Sequence, residues 1–120
     1  MATLTPTLTL ASTDVSSDTL SLSVNDALSV GAPSQSVSRT SVLHSATTAI
    51  LTSANTTTTY VYLKNTDGTN HVKIYTGADE LWGIIWPGEF NFFAVIDGEG
   101  LKLQANNASC EVEYGYWTKA

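Results

Sequence analysis

The chain has 120 residues, eleven acidic against five basic for a net charge of −6, and only 13% of its residues are charged. That length suits one domain and can bury a core without metal or disulfide support. The acidic balance, with no local cluster of Lys or Arg, argues against a phosphate backbone as partner, so no direct nucleic-acid binding is expected.

Thr and Ser supply about a quarter of the residues, and strong helix formers are few. Thr is β-branched and Ser competes for helix backbone groups, so the composition favours strands and turns. The single cysteine, Cys110, rules out an internal disulfide and any multi-cysteine metal site. No run approaches a membrane span, and the first residues lack the basic and apolar regions of a signal peptide. Neither membrane association nor export is expected. Low charge density with many hydroxyls also suits a surface partly covered by other protein.

In residues 1–34 apolar residues alternate with hydroxyl residues. Leu4, Leu8 and Leu10 share one parity, Leu20, Leu22 and Val24 share it again, and Leu28 and Val30 follow. Period-two alternation predicts strands with one apolar face. Ser12-Thr13-Asp14 and Ser16-Ser17-Asp18 read as turns. A flexible Ser/Thr linker is the competing reading, but linkers rarely keep leucines in register. Thinly apolar strands of this kind are often completed by a neighbour, so an arm that pairs with another chain is expected.

Gly31-Ala32-Pro33-Ser34 punctuates the chain, and a body is expected over residues 35–120, with strands at about 35–43 and within 45–53. Residues 60–64 predict a strand with Val61 and Leu63 opposite the tyrosines. Asp67-Gly68 is a hairpin marker, after which residues 71–75 return with Val72 and Ile74 inward. Residues 81–86 are apolar on both parities, which predicts burial on both sides. Pro87-Gly88 turns the chain into residues 90–96. Asp97-Gly98-Glu99-Gly100 turns it again into 101–105, and residues 110–117 close the series. All the Phe, Trp and Tyr residues lie between 60 and 117, so the densest part of the core is expected there. The fold expected is all-β: an antiparallel β-sandwich, with the jelly roll as one form of it, carrying an extended N-terminal β arm.

Sites of chemistry are hard to find. His44 and His71 have no histidine at ligand spacing, and His71 falls on the polar parity of its strand beside a turn. Cys110 alternates with Val112 and Tyr114, which reads as a small buried hydrophobe rather than a nucleophile. The carboxylates group as Asp79-Glu80, Asp97 with Glu99, and Glu111 with Glu113. None of these forms a calcium loop or an evident glycosidase pair. No catalytic, metal or cofactor-binding residue is assigned, and no cofactor is expected. Core packing is the commoner fate of the aromatic residues. Trp82 and Trp117 are the ones to inspect for exposure, because large exposed aromatics mark interfaces. Leu4, Leu8, Leu10, Leu20, Leu22, Trp82 and Trp117 are therefore the candidate interface residues, with ordinary core as the competing fate of all seven.

Three ordered blocks carry a resemblance: Tyr60-Val61-Tyr62-Leu63-Lys64-Asn65-Thr66-Asp67, Pro87-Gly88-Glu89-Phe90-Asn91-Phe92-Phe93, and Glu111-Val112-Glu113-Tyr114-Gly115-Tyr116-Trp117. Together they make the second half similar to small virion structural proteins of tailed bacteriophages, cyanophages in particular. The resemblance implies a non-enzymatic component of the particle, such as a capsid decoration or cement protein on the outer head surface. Its partner would be the major capsid protein, and self-association, with a homotrimer as one form, is expected. A tail, neck or fibre component and a host-carbohydrate-binding module are the alternatives.

Overall fold

The alternation in the first thirty residues becomes one long kinked hairpin in the computed structural model, which describes residues 2–31, 37–52, 57–96 and 98–120. Strand β1 (Ala2–Leu4) pairs antiparallel with β4 (Leu28–Val30), and β2 (Thr7–Ser12) with β3 (Leu20–Asn25). Thr5-Pro6 and Asp26-Ala27 interrupt the two ladders opposite each other. Proline has no N–H to give a ladder, which fits it to the kink, and the Pro6 carbonyl still accepts the Asp26 N–H at 3.2 Å. At the tip the Ser12 hydroxyl oxygen accepts the N–H groups of Asp14 and Val15. The base is fastened to the chain's other end. Gly31 N–H donates to the Thr118 carbonyl at 2.8 Å, and Ala120 N–H to Ser29 at 2.9 Å.

Among the described residues the body has eight strands: β5 (Ser38–Val42), β6 (Thr48–Leu51), β7 (Thr58–Asn65), β8 (Val72–Thr76), β9 (Leu81–Ile85), β10 (Phe90–Ala94), β11 (Leu101–Ala105) and β12 (Cys110–Thr118). They form two four-stranded antiparallel sheets, ordered β10-β7-β12-β5 and β6-β11-β8-β9. The chain passes from one sheet to the other at almost every connection, the Greek-key winding of an eight-stranded jelly roll. Of these strands only β8 and β9 are consecutive partners within a sheet. The boundary expected between residues 34 and 35 falls outside the described residues, as do Asp97 and residues 53–56.

Alternation decides the core. Val61, Leu63, Val72, Ile74, Leu103 and Val112 are almost fully buried, and Val42, Leu51, Ile85, Leu101, Ala105 and Cys110 complete one cluster. This core is aliphatic, which corrects the expectation for the aromatic residues. Phe93, Tyr114 and Tyr116 only flank it, while Trp82, Trp86, Phe90 and Phe92 are exposed.

Two further expectations fail for topological reasons. Residues 81–86 are not covered on both sides, because a two-sheet sandwich covers each strand on one face only: Ile85 is buried while Leu81, Trp82 and Trp86 on edge strand β9 and just beyond it stay exposed. Asp67-Gly68 does not close a hairpin, because β7 and β8 lie in different sheets. There the Asp67 carboxylate accepts the Thr69 and Asn70 N–H groups and shapes a longer crossover loop.

One polar side chain among the described residues is wholly buried. Asn65, at the end of β7, donates its amide to the carbonyls of Asn70 (2.8 Å) and Ile85 (3.2 Å), and its carbonyl accepts the Asp67 N–H (3.0 Å). Its backbone holds the turn before β10, donating to Glu89 and accepting from Gly88, whose φ of 80° suits glycine. At the opposite loops, Gly77 lies so close to the Glu99 carbonyl that a β-carbon would overlap it.

Removing the Asn65 amide takes away the side-chain bonds to the Ile85 and Asn70 carbonyls and to the Asp67 N–H, at a residue that is itself fully buried. Asn65→Ala is therefore expected to lower the unfolding free energy by about 2–4 kcal/mol at unchanged m-value in urea denaturation. A loss below about 1 kcal/mol would show that these bonds are dispensable.

Candidate functional site

The register of the N-terminal hairpin gathers its apolar residues on one face. Leu8 lies opposite Val24, Leu10 opposite Leu22, and Ser12 opposite Leu20. The other face carries Thr7, Thr9, Ala11, Ser21, Ser23 and Asn25. Beyond the end at Leu8 and Val24, nothing in the described body approaches the apolar face. Leu8, Leu10, Leu20, Leu22 and Val24 are 38–49% exposed, and β2 and β3 make only glancing contact with other strands. No cation lies on the arm, since all five basic residues occur from Arg39 onward. Neither strand carries a charge that would discourage edge pairing.

The hairpin's base stands against the outer face of the first sheet. There Phe90 and Phe92 point out of edge strand β10, and Phe92 stacks on Tyr60 with ring centroids 6.2 Å apart. Between Leu8 and Val24 on one wall and Phe90 and Phe92 on the other runs a groove of about 560 Å³. Trp117 pairs with Tyr60 in this sheet and is half-buried, its ring lying over Gly115 where a side chain would collide with it.

A second, smaller cleft of about 270 Å³ opens where β9 and β10 form the same side of the sandwich. Its floor is Phe93 and Val95, and its lip is Trp82, whose ring meets Phe93 edge-on at 4.6 Å. Glu99 is the one ionisable group among its described lining residues.

The ionisable groups do not converge on either depression. Cys110 is buried, its sulfur 3.7 Å from the carbonyls of Asn70 and Ala108. Burial, helped by the charge of Asp67, pushes the thiol up and away from thiolate chemistry. His71 is not the free solvent-facing histidine its parity suggests. Its ring sits edge-on to Trp86 at 5.2 Å, and its Nε2 is buried without a hydrogen-bond partner among the described residues. His44 is exposed. On the outer sheet face the Tyr62 hydroxyl donates to Glu113 at 2.8 Å, and Arg39 pairs with the same carboxylate at 3.6 Å. Lys102 holds Asp79 at 2.9 Å across the strand ends. Backbone N–H groups of Asn70 and Thr69 hold the Asp67 carboxyl below its usual value. Among the described residues no three His, Cys, Asp or Glu side chains are grouped as metal ligands would be.

Of the seven candidate interface residues, Leu8, Leu10, Leu20 and Leu22 come together on the exposed hairpin face. Leu4 lies apart, half-buried opposite Leu28 in the β1–β4 ladder. Trp82 is exposed on β9, away from them, and Trp117 is half-buried. Sequence reasoning missed Val24, Phe90 and Phe92. The signal was present, since Phe90-Asn91-Phe92-Phe93 puts aromatics on both parities, so one face of β10 had to turn outward. Compared with protein-family models, curated proteins and solved structures, the chain finds no match.

Burial, followed by the hydrogen bond to Glu113 and its charge, pushes the Tyr62 hydroxyl up to about 12 from 10.0. A folded-state value above the unfolded one stabilises fully below the lower value and is lost as pH climbs through the higher one. Stability should therefore fall between about pH 10 and 12, and Tyr62→Phe should flatten that part of the urea-midpoint profile relative to wild type. Identical slopes would dismiss the Tyr62–Glu113 bond as a source of stability. Cys110 should resist thiol reagents at pH 8 until denaturant unfolds the chain. Rapid labelling of native protein would contradict its burial.

Proposed function

We propose that this chain is a non-enzymatic structural protein of a tailed-phage particle, a decoration or cement protein that binds the outer head surface and stabilises the joints between capsomers. The observation that carries this reading is the uncovered apolar face on an arm that projects from a jelly-roll body. An adhesive subunit needs apolar contact and strand edges to offer its neighbours, and a pocket is of no use to it. The resemblance of residues 60–67, 87–93 and 111–117 to small virion proteins supports the same reading, and jelly rolls recur among capsid domains. In this reading the major capsid protein is the partner. Modest contacts suffice, because many copies on one shell multiply them.

The test separates arm from body. Residues 7–25 are replaced by a short glycine turn joining Pro6 to Asp26, which are already hydrogen-bonded. The body should keep its strand-rich circular dichroism while occupancy on purified heads falls by at least tenfold. Undiminished occupancy would dispose of the arm as the adhesive element.

A second reading rests on the two exposed tryptophans, Trp82 and Trp86. Such rings are stacking platforms for sugars, which suits a host-carbohydrate-binding module at a tail tip. Host envelope glycans should then quench the tryptophan fluorescence, and Trp82→Ala should abolish the response. A flat titration would remove this reading.

A further inference from the structure

We infer that the N-terminal hairpin is a self-association element, whose aliphatic face seats in the groove beside Phe90 and Phe92 of a second copy while that copy's hairpin seats reciprocally in its own. The inference goes beyond the particle-surface reading, because it commits the arm to a sister chain and needs no shell.

A two-stranded hairpin is marginal by itself in water, and one with an apolar face calls for a third layer. The body does not provide it beyond the base, where only Leu8 and Val24 reach the Phe90–Phe92 wall. The whole chain is correspondingly open: its radius of gyration is 15.6 Å, against about 13.6 Å for a compact chain of this length.

The chemistry of the surface selects the occupant. The described residues of the groove and the hairpin face carry no cation, and Asp26 is the one acidic group at the groove. A strongly charged partner would therefore find little to pair with and would lose hydration on docking. What fits is an uncharged aliphatic sheet face of the same length, and the hairpin of a second copy is one. Its leucines repeat with period two, and Asp26, at the groove's end, is the one described lining charge that the contact would leave to water.

Area argues for reciprocity. A six-residue strand is about 20 Å long, so one hairpin face falls short of the roughly 800 Å² per partner that a stable interface buries. Using hairpin and groove from both copies in one contact brings the buried surface toward that size. It also gives the self-complementary patch that a two-fold pair requires.

The decisive measurement is the mass of the full chain by sedimentation and light scattering up to about 100 μM, a range that covers micromolar affinities. A dimer is expected. The double variant Leu10→Asn, Leu22→Asn should dissociate at least tenfold more readily, with the thermal midpoint of its body unchanged. A wild-type monomer across the range overturns the inference. So does a trimer or open polymer, or a variant that associates as well as wild type. A monomer that nevertheless loads onto heads through its arm would overturn the inference and leave the particle-surface reading standing. Dimers that ignore heads would do the reverse.

Discussion

The position of β10 depends on one buried residue at the end of β7. Asn65 is the only fully buried polar side chain among the described residues, and its side chain and backbone together reach the crossover loop after β7, the end of β9 and the turn into β10. A hydrophobic residue of similar size could fill the space but could not satisfy the carbonyls of Asn70 and Ile85 there. The buried Ile85 carbonyl would lose its side-chain donor and the Asn70 carbonyl would keep only the weak Cys110 thiol, a cost that apolar packing at the same spot would have to offset. Because the turn from residues 86 to 89 is held this way, β10 enters the sheet in a single register, Phe90 against Lys64 and Phe92 against Tyr62. Phe93 then faces inward and the other two phenylalanines outward.

That register explains the division of labour between aliphatic and aromatic residues. Val61, Leu63, Ile74 and Leu103 are stiff or compact enough to fill the narrow layer between two four-stranded sheets, and they are almost completely buried. The aromatic rings go to the rim and the outer sheet face: Tyr60 on Phe92, Trp82 on Phe93, Trp117 over Gly115. Rings placed so still bury part of their surface, but they leave large apolar area on show. Isolated exposed apolar residues need no explanation, whereas a contiguous patch does. Here the patch runs from Phe90 and Phe92 across the groove to five aliphatic residues on the arm.

How far the fold was legible follows from what period-two patterning can and cannot encode. The inward sets Val61 with Leu63, Val72 with Ile74, and Leu101 with Leu103 could be read directly, because alternation states which residues share a face. The same signal does not state whether another layer covers that face. Leu81-Trp82 reads as doubly buried and is instead an exposed edge. The leucines of the arm read as one apolar face, which they are, yet their lack of cover within the chain is a tertiary fact. Asp67-Gly68 carries a local turn signal, but the choice between returning to the same sheet and crossing to the other is made by long-range pairing. The burial of His71 Nε2 is likewise invisible, because Trp86, which packs on the ring, lies fifteen positions away in sequence.

The distribution of charge completes the argument about the arm. Proteins that must keep a strand edge solitary commonly place a lysine, a proline or an inward-pointing charge on it. This chain has the means, with Lys64, Lys73 and Lys102 all on body strands. On the arm, by contrast, Asp14, Asp18 and Asp26 occupy only the tip and the base, and the paired strands between them are neutral. Between the kink at Pro6 and the tip, the open edges and apolar face therefore carry no guarding charge. A surface built only to remain monomeric would need a single hydroxyl residue exchanged for lysine at no cost to the ladder. The neutral strands thus fit the proposed pairing, in which a second identical chain would supply the layer that covers them.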